Sequence, residues 1–409
     1  MMSHFKIKRE YLFYLVVILF WFGQYVYAPF LSPYMRTIGI SATVIGVIAG
    51  MYGVSQLVVR IPLSIADWKS GSHKLIIIAG LICVVISCII PIFTDSWIAF
   101  FTTRLLAGIA ASSWISYSAH MIEGAGGKAN SKMGNLIAAQ TTGQCISQVV
   151  GALVYDHTNI RTLFIIGALS AAFALVVLAF TPISGQKIVK TPNGDVDSRH
   201  REKRELDKDS FISVIKNKHL WLCSLIMAAF QLLAFATNNS FAGVFAQDYL
   251  AATAFQLGLI FLIPSFVSIL VSMIFGKIGK KALPERALLV FAFIIMVAYC
   301  ILSFLSTNMI QFLAVQALCG ISAAIIKVVL FANAGRELSA DKQILSMGIF
   351  QSIYSLGIMF GPIIFGIAFD KSGEDYTFTY ILLAVIALIG AIVSFLMYKN
   401  SRKDNIKNL

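Results

Sequence analysis

The sequence predicts an all-α polytopic membrane protein: twelve transmembrane helices in two pseudo-symmetric six-helix bundles. Three observations carry that expectation. Hydrophobic residues make up 58% of the 409 and charged residues only 12%, about half the charge share of a soluble domain. Apolar runs near the ~20 residues that a helix needs to cross a bilayer recur twelve times. One long polar run, 184–220, with nine Lys/Arg and six Asp/Glu, divides them six and six.

Taken in order, the predicted spans are 11–33, 41–66, 74–93, 97–121, 133–155 and 161–182, then 219–243, 254–276, 286–306, 309–332, 344–368 and 377–398. The segments are too long for barrel strands and lack alternation, so they are read as helices. Lys6, Lys8 and Arg9 precede an apolar run too long for a signal-peptide core and followed by no small-residue cleavage site, so the run reads as an uncleaved first span. The domain division expected is 1–183 and 219–409 as the two bundles, with 184–218 as a linker. Within that linker, Phe211, Ile212, Val214 and Ile215, followed by Lys216 and Lys218, suggest a short interfacial helix.

The basic residues set the orientation. With both termini inside, the inner segments hold 26 of the 32 Lys/Arg, whereas the outer loops hold only Arg36, Arg161 and Lys371. This asymmetry predicts a multi-pass protein of the cell (cytoplasmic) membrane with both termini and the linker in the cytoplasm. The net charge of +13 is scattered between spans, which excludes the concentrated basic face of a nucleic-acid binder. All six cysteines lie in apolar spans without metal-ligand spacing, and read as small buried hydrophobes.

The halves repeat each other. Gly143, Ser147, Gln148 and Asp156 recur 214 residues later as Gly357, Gly361, Pro362 and Asp370; Gly46 and Gly108 recur 212 later as Gly258 and Gly320. Parallel duplication of a six-helix unit explains a register held over six pairs.

Twelve spans split six and six, with three local patterns, resemble the major facilitator superfamily over essentially the whole chain. The first pattern is R-I-P-L-S-I-A-D-W-K-S-G-S-H-K at 60–74, similar to the family's loop signature, although Gly71 falls four residues after Asp67 rather than three. Its second copy, F-G-K-I-G-K-K at 275–281, has no acid. The resemblance implies that Arg60, Asp67, Gly71 and Lys74 serve gating, with Asp67 pinning the halves together in the outward-open state. The second pattern is R-L-L-A-G at 104–108; the family's span-4 Arg is associated with proton coupling or substrate contact. The third is G-I-M-F-G-P at 357–362, like the exporters' span-5 signature but lying in span 11, so Gly357, Gly361 and Pro362, with Gly46, Gly50 and Gly108, are expected to serve helix packing.

Polar side chains avoid lipid, so those within spans are expected to face the bundle interior. Candidate substrate-binding residues are Gln24 and Tyr27 in span 1, Arg104 in span 4, Gln140 and Gln144 in span 5, Asn238 and Asn239 in span 7, Lys327 in span 10 and Tyr354 in span 11. No acid lies deep in a span, which favours neutral or anionic solutes over cationic ones. H-E-x-x-H, Walker and G-x-S-x-G motifs are absent, so neither enzyme chemistry nor a metal or cofactor is expected.

The function expected is a secondary transporter of a small solute, working as a monomer in the bilayer by alternating access. Proton coupling is implied by the resemblance alone. The alternatives are a broad exporter of drugs or metabolites and a non-transporting receptor on the same scaffold.

Overall fold

In the computed structural model, residues 2–70, 72–122, 129–181, 208–278, 284–334, 338 and 340–406 are described. They are almost wholly helical. In the first half lie α1 (Met2–Tyr25), α2 (Ala28–Thr37), α3 (Ala42–Ser70), α4 (His73–Phe93), α5 (Trp97–Ser112), α6 (Trp114–Ile122), α7 (Ala129–His157) and α8 (Ile160–Ala179). The short α9 (Lys208–Ile215) leads into α10 (Lys218–Ala236), a π turn (Thr237–Phe241) and α11 (Ala242–Leu250). Then follow α12 (Ala254–Ile278), α13 (Glu285–Leu305), α14 (Met309–Asn333), α15 (Ala340–Lys371) and α16 (Tyr376–Ile406). Gly71 and residues 182–207 of the linker lie outside the described residues.

Three spans are interrupted, each for a local reason. Pro29 lies in the first turn of α2, where its missing N–H costs nothing, and span 1 breaks just before it into α1 and α2. Span 4 steps at Ser113, which separates α5 from α6. Span 7 widens into the π turn, a form that clusters at functional sites. Among the described residues, eleven segments are long and apolar enough to cross a membrane. The twelfth rod, α7, has 29 residues, but its run of Gln, Ser and Thr leaves it too polar to qualify alone. Outward rows such as Ile165, Leu169, Phe173 and Val176 on α8 and Ile381, Val385, Leu388 and Ile392 on α16 are exposed, as a lipid-facing surface requires.

The duplicated glycines make duplicated contacts. A side chain on Gly143 would strike Ile18 of α1, and one on Gly357 would strike Ala228 and Leu232 of α10; each packs span 5 or 11 on the first helix of its own half. Gly108 fits against Tyr52 of α3, and Gly320 against Pro264 of α12. Gly46 meets Pro362 of α15, and Gly258 meets Gln148 and Ala152 of α7. These last two contacts form the seams between the halves. The caps repeat as well: Ser96 accepts from Ile98 N at the start of α5, and Asn308, 212 residues later, accepts from Gln311 N at the start of α14. The repeat is therefore structural, a parallel six-helix duplication.

The α3–α15 seam is built on small residues. Gly46, Gly50 and Gly53 of α3 meet the backbone at Pro362, Met359 and Ser355, while Gly366 of α15 meets Ala42. At the end of the bundle away from both termini, the far end, Asp370 of α15 accepts from Ala42 N (3.3 Å) and Thr43 N (2.8 Å) of α3. An acid capping the first turn of a helix satisfies orphan donors and complements the dipole. There too α2 packs on α11 and α12, closing the far end. At the termini end, among the described residues, α6 and α14 form no packed seam.

Candidate functional site

Helices of both halves line a cavity between them. Its polar lining is Gln24, Tyr25 and Ser32 from span 1, Tyr52 from α3, Arg104 from α5 and Asn239 from the π turn. Leu31, Met35, Ile48, Phe235 and Phe261 supply apolar wall. Arg104 stands seven residues into α5, about 10 Å from the helix start. Its guanidinium lies 4.7 Å over the Tyr52 ring, a cation–π contact worth ~1–2 kcal/mol when desolvated. Tyr52 in turn stacks on Phe235 of the other half, with ring centroids 6.2 Å apart and planes 18° apart. No carboxylate pairs with Arg104 among the described residues. The Nε2 of buried Gln24 has no protein partner. The cavity thus presents one unpaired cation, several neutral donors and aromatic faces.

The remaining sequence candidates take other places. Tyr27 is fully buried and packs on Phe164 of α8, with ring centroids 4.6 Å apart. Asn238 points into the second half, donating to Ile260 O at 2.9 Å and to Gln316 Oε1 at 3.1 Å; Tyr299 donates to the same Oε1 at 3.2 Å. Gln140 and Gln144 are half-buried on α7 and do not line the cavity. Lys327 of α14 is exposed. Tyr354 lies outside the lining, under the guanidinium of Arg60 at 5.7 Å.

The gating candidates lie toward the termini end. Arg60, 4% exposed, donates to Gln56 Oε1 at 2.7 Å and, across the seam, to Gln351 O at 3.1 Å. Asp67 bonds His73 Nδ1 at 2.8 Å, both side chains being buried in the same half. Lys74 donates to Thr181 O at 3.1 Å, just past the C-terminus of α8, where a cation offsets the dipole. Of the packing candidates, Gly46 and Gly50 sit on the seam between halves, whereas Gly108, Gly357 and Gly361 pack within one half.

Sequence reasoning missed a set of ties at the far end. Arg36 of α2 reaches Glu374 at 2.6 Å and Asp248 of α11 at 3.4 Å, both in the other half. Tyr376 also donates to Asp248, at 2.9 Å. Glu374 takes the left-handed φ of 66°, rare for a residue with a side chain. The only sequence signal was Arg36 itself, one of three basic residues in the outer loops.

Two duplicated six-helix halves, with a cavity between them closed at one end, define a multi-pass membrane transporter by class. The chain belongs to the Major Facilitator Superfamily, whose family model matches residues 13–305 and 225–408. An uncharacterized MFS-type transporter of Methanocaldococcus jannaschii is 23% identical over 376 residues, covering 90% of this chain and 92% of that one. Multidrug resistance protein 2 of Bacillus subtilis is 25% identical over 385 residues, 91% of each chain. The fold also matches a bacterial homolog of the human lysosomal transporter Spinster in an inward-facing, unoccupied conformation, with TM-score 0.76 at 16% identity over 97% of this chain and 98% of that one.

Proposed function

We propose that the chain is a permease that moves a small neutral or anionic organic solute, with bundles 1–183 and 219–409 rocking about the central cavity and 184–218 as their tether. The observation that carries this reading is Arg104: a cation in a cavity walled by both halves, held by an aromatic face and left without a carboxylate. The described acids sit at span ends, so a cationic solute finds no counter-charge within. With both termini in the cytoplasm, as the basic residues suggest, the closed far end makes this an inward-facing arrangement. Proton coupling, action as a monomer and the absence of enzyme activity belong to the same reading.

Purified protein in liposomes with imposed pH or solute gradients tests it. Gradient-driven accumulation of anionic or neutral solutes is expected, and Arg104→Gln should cut it at least about tenfold at equal expression. Normal transport by that variant would remove Arg104 from the mechanism, and transport of cations alone would overturn the solute class. A broad exporter is the second reading. The apolar wall of Phe235, Phe261, Leu31 and Met35 and the likeness to a protein named for multidrug resistance favour it. A receptor role has no such support.

A further inference from the structure

Arg60 is a second cation without a counter-charge among the described residues, and unlike half-buried Arg104 it is buried. It is 4% exposed, no carboxylate lies within ion-pair distance among the described residues, and its Nε has no acceptor. Desolvating a guanidinium costs several kcal/mol unless an anion compensates. Its two bonds, to the Gln56 side chain and to the Gln351 carbonyl, could be made by a neutral amide at far lower cost. The cation–π contact with Tyr354 across the seam offsets only part of that cost, so the charge calls for a further reason.

The surroundings of Arg60 supply one. Tyr52, which lines the central cavity, has both Arg104 and Arg60 as charged neighbours. Tyr354, beneath Arg60, neighbours Tyr25 and Tyr52 of the same cavity. Arg104 in the cavity and Arg60 just outside its lining thus both stand near Tyr52, on adjacent helices of one half, and among the described residues neither pairs with an acid. Two such charges repel each other in a low-dielectric site. A solute with two anionic groups would neutralise both at once.

We propose that Arg60 is a second anion-binding residue of the transport path, so that the solute is an organic dianion held between Arg104 and Arg60. This rests on the reading of Arg104 as the solute's first contact. It also places binding beside the seam: the guanidinium whose Nε is free holds the Gln351 carbonyl of the other half through Nη1.

The test is calorimetry on the full-length purified protein with three probes: benzoate, terephthalate and monomethyl terephthalate. The ester has the size of the dianion and the charge of benzoate. Terephthalate is expected to bind at least about tenfold more tightly than either monoanion. That preference should fall to about twofold or less in Arg60→Gln, and Arg104→Gln should lose all three probes. Equal binding of terephthalate and its monoester by the wild-type protein would overturn the proposal, whether or not the Arg60 variant folds. So would a preference that survives in Arg60→Gln. Benzoate binding that depends on Arg104 but shows no dianion preference defeats Arg60 alone. Failure of every probe, with no gradient-driven flux, defeats the underlying reading as well.

Discussion

Replacing Arg36 with Gln should release the far end. Arg36 spans the halves through Glu374 at 2.6 Å and Asp248 at 3.4 Å. Solvent screens the contacts: side-chain exposure is 23% for Arg36, 29% for Asp248 and 55% for Glu374. An open pair of this kind is worth ~0.5 kcal/mol and the more enclosed Asp248 contact up to ~1. The two sum to about 1–1.5 kcal/mol, so losing them shifts the ratio of far-end-open to far-end-closed molecules up to about tenfold. Nitroxide labels at exposed Thr158 and Thr307, one in each half at the far end, would report it by pulsed electron resonance once the six free cysteines are replaced. Arg36→Gln should add a longer-distance population, as should Glu374→Gln to a smaller degree. Raising the salt to 1 M should narrow the gap from wild type, because the Debye length falls to about 3 Å. Identical distance distributions in wild type and both variants would refute the lock.

Two further outcomes follow from packing. Gly46→Val would drive a side chain into the Pro362 backbone, and thermal unfolding should report a loss of about 2–3 kcal/mol. By contrast Gly134→Ala in α7 meets nothing within 4 Å and should be neutral or stabilising by ~0.5–1 kcal/mol. Gln316→Leu removes the acceptor shared by Asn238 and Tyr299; about 2–3 kcal/mol should be lost from the second half, read as a lower unfolding midpoint with benzoate binding retained.

The fold was legible because span length, which the bilayer sets, is a one-dimensional signal. Even α7, the least apolar rod, was found by its length and by its glycine register with α15. The π turn at 237–241 was not legible. Inserting one residue into a helix leaves no mark in composition, yet it decides that Asn239 enters the cavity while Asn238 turns to Gln316. Neighbouring residues on a helix stand about 100° apart, so only one of the two asparagines could face the cavity.

The site was legible where a residue was expensive and obscure where it was cheap. Arg104 stands out because a charge inside a span demands a reason. Gln24 lines the cavity, but its face runs on through Ala28, Leu31, Ser32 and Met35, whose side chains carry almost no polar signal. Tyr27, three residues after Gln24, packs on α8 outside the cavity lining, with Arg104 as its charged neighbour. Tyr25 and Tyr52 escaped notice since tyrosine is ordinary in membrane helices, and nothing local shows that two of them will meet one guanidinium. The Arg36 ties join residues 212 and 338 positions apart, a pairing that only the closed arrangement of the halves creates.

The scarcity of acids within the spans bears on movement as well as on solute charge. Were Arg60 paired with a carboxylate across the α3–α15 seam, opening that seam would cost ~3–5 kcal/mol for each buried pair broken. Across the seam its acceptor is instead a backbone carbonyl and its other support an aromatic face, both weaker holds. Among the described residues, the ion pairs that join the halves lie at the far end, at Arg36, where water can replace either partner as they separate. Charge pairs stand where solvent can relieve them, and neutral contacts where it cannot. On the proposed rocking of the two bundles, that distribution lets them part and rejoin, and it leaves Arg104 and Arg60 free for the proposed solute.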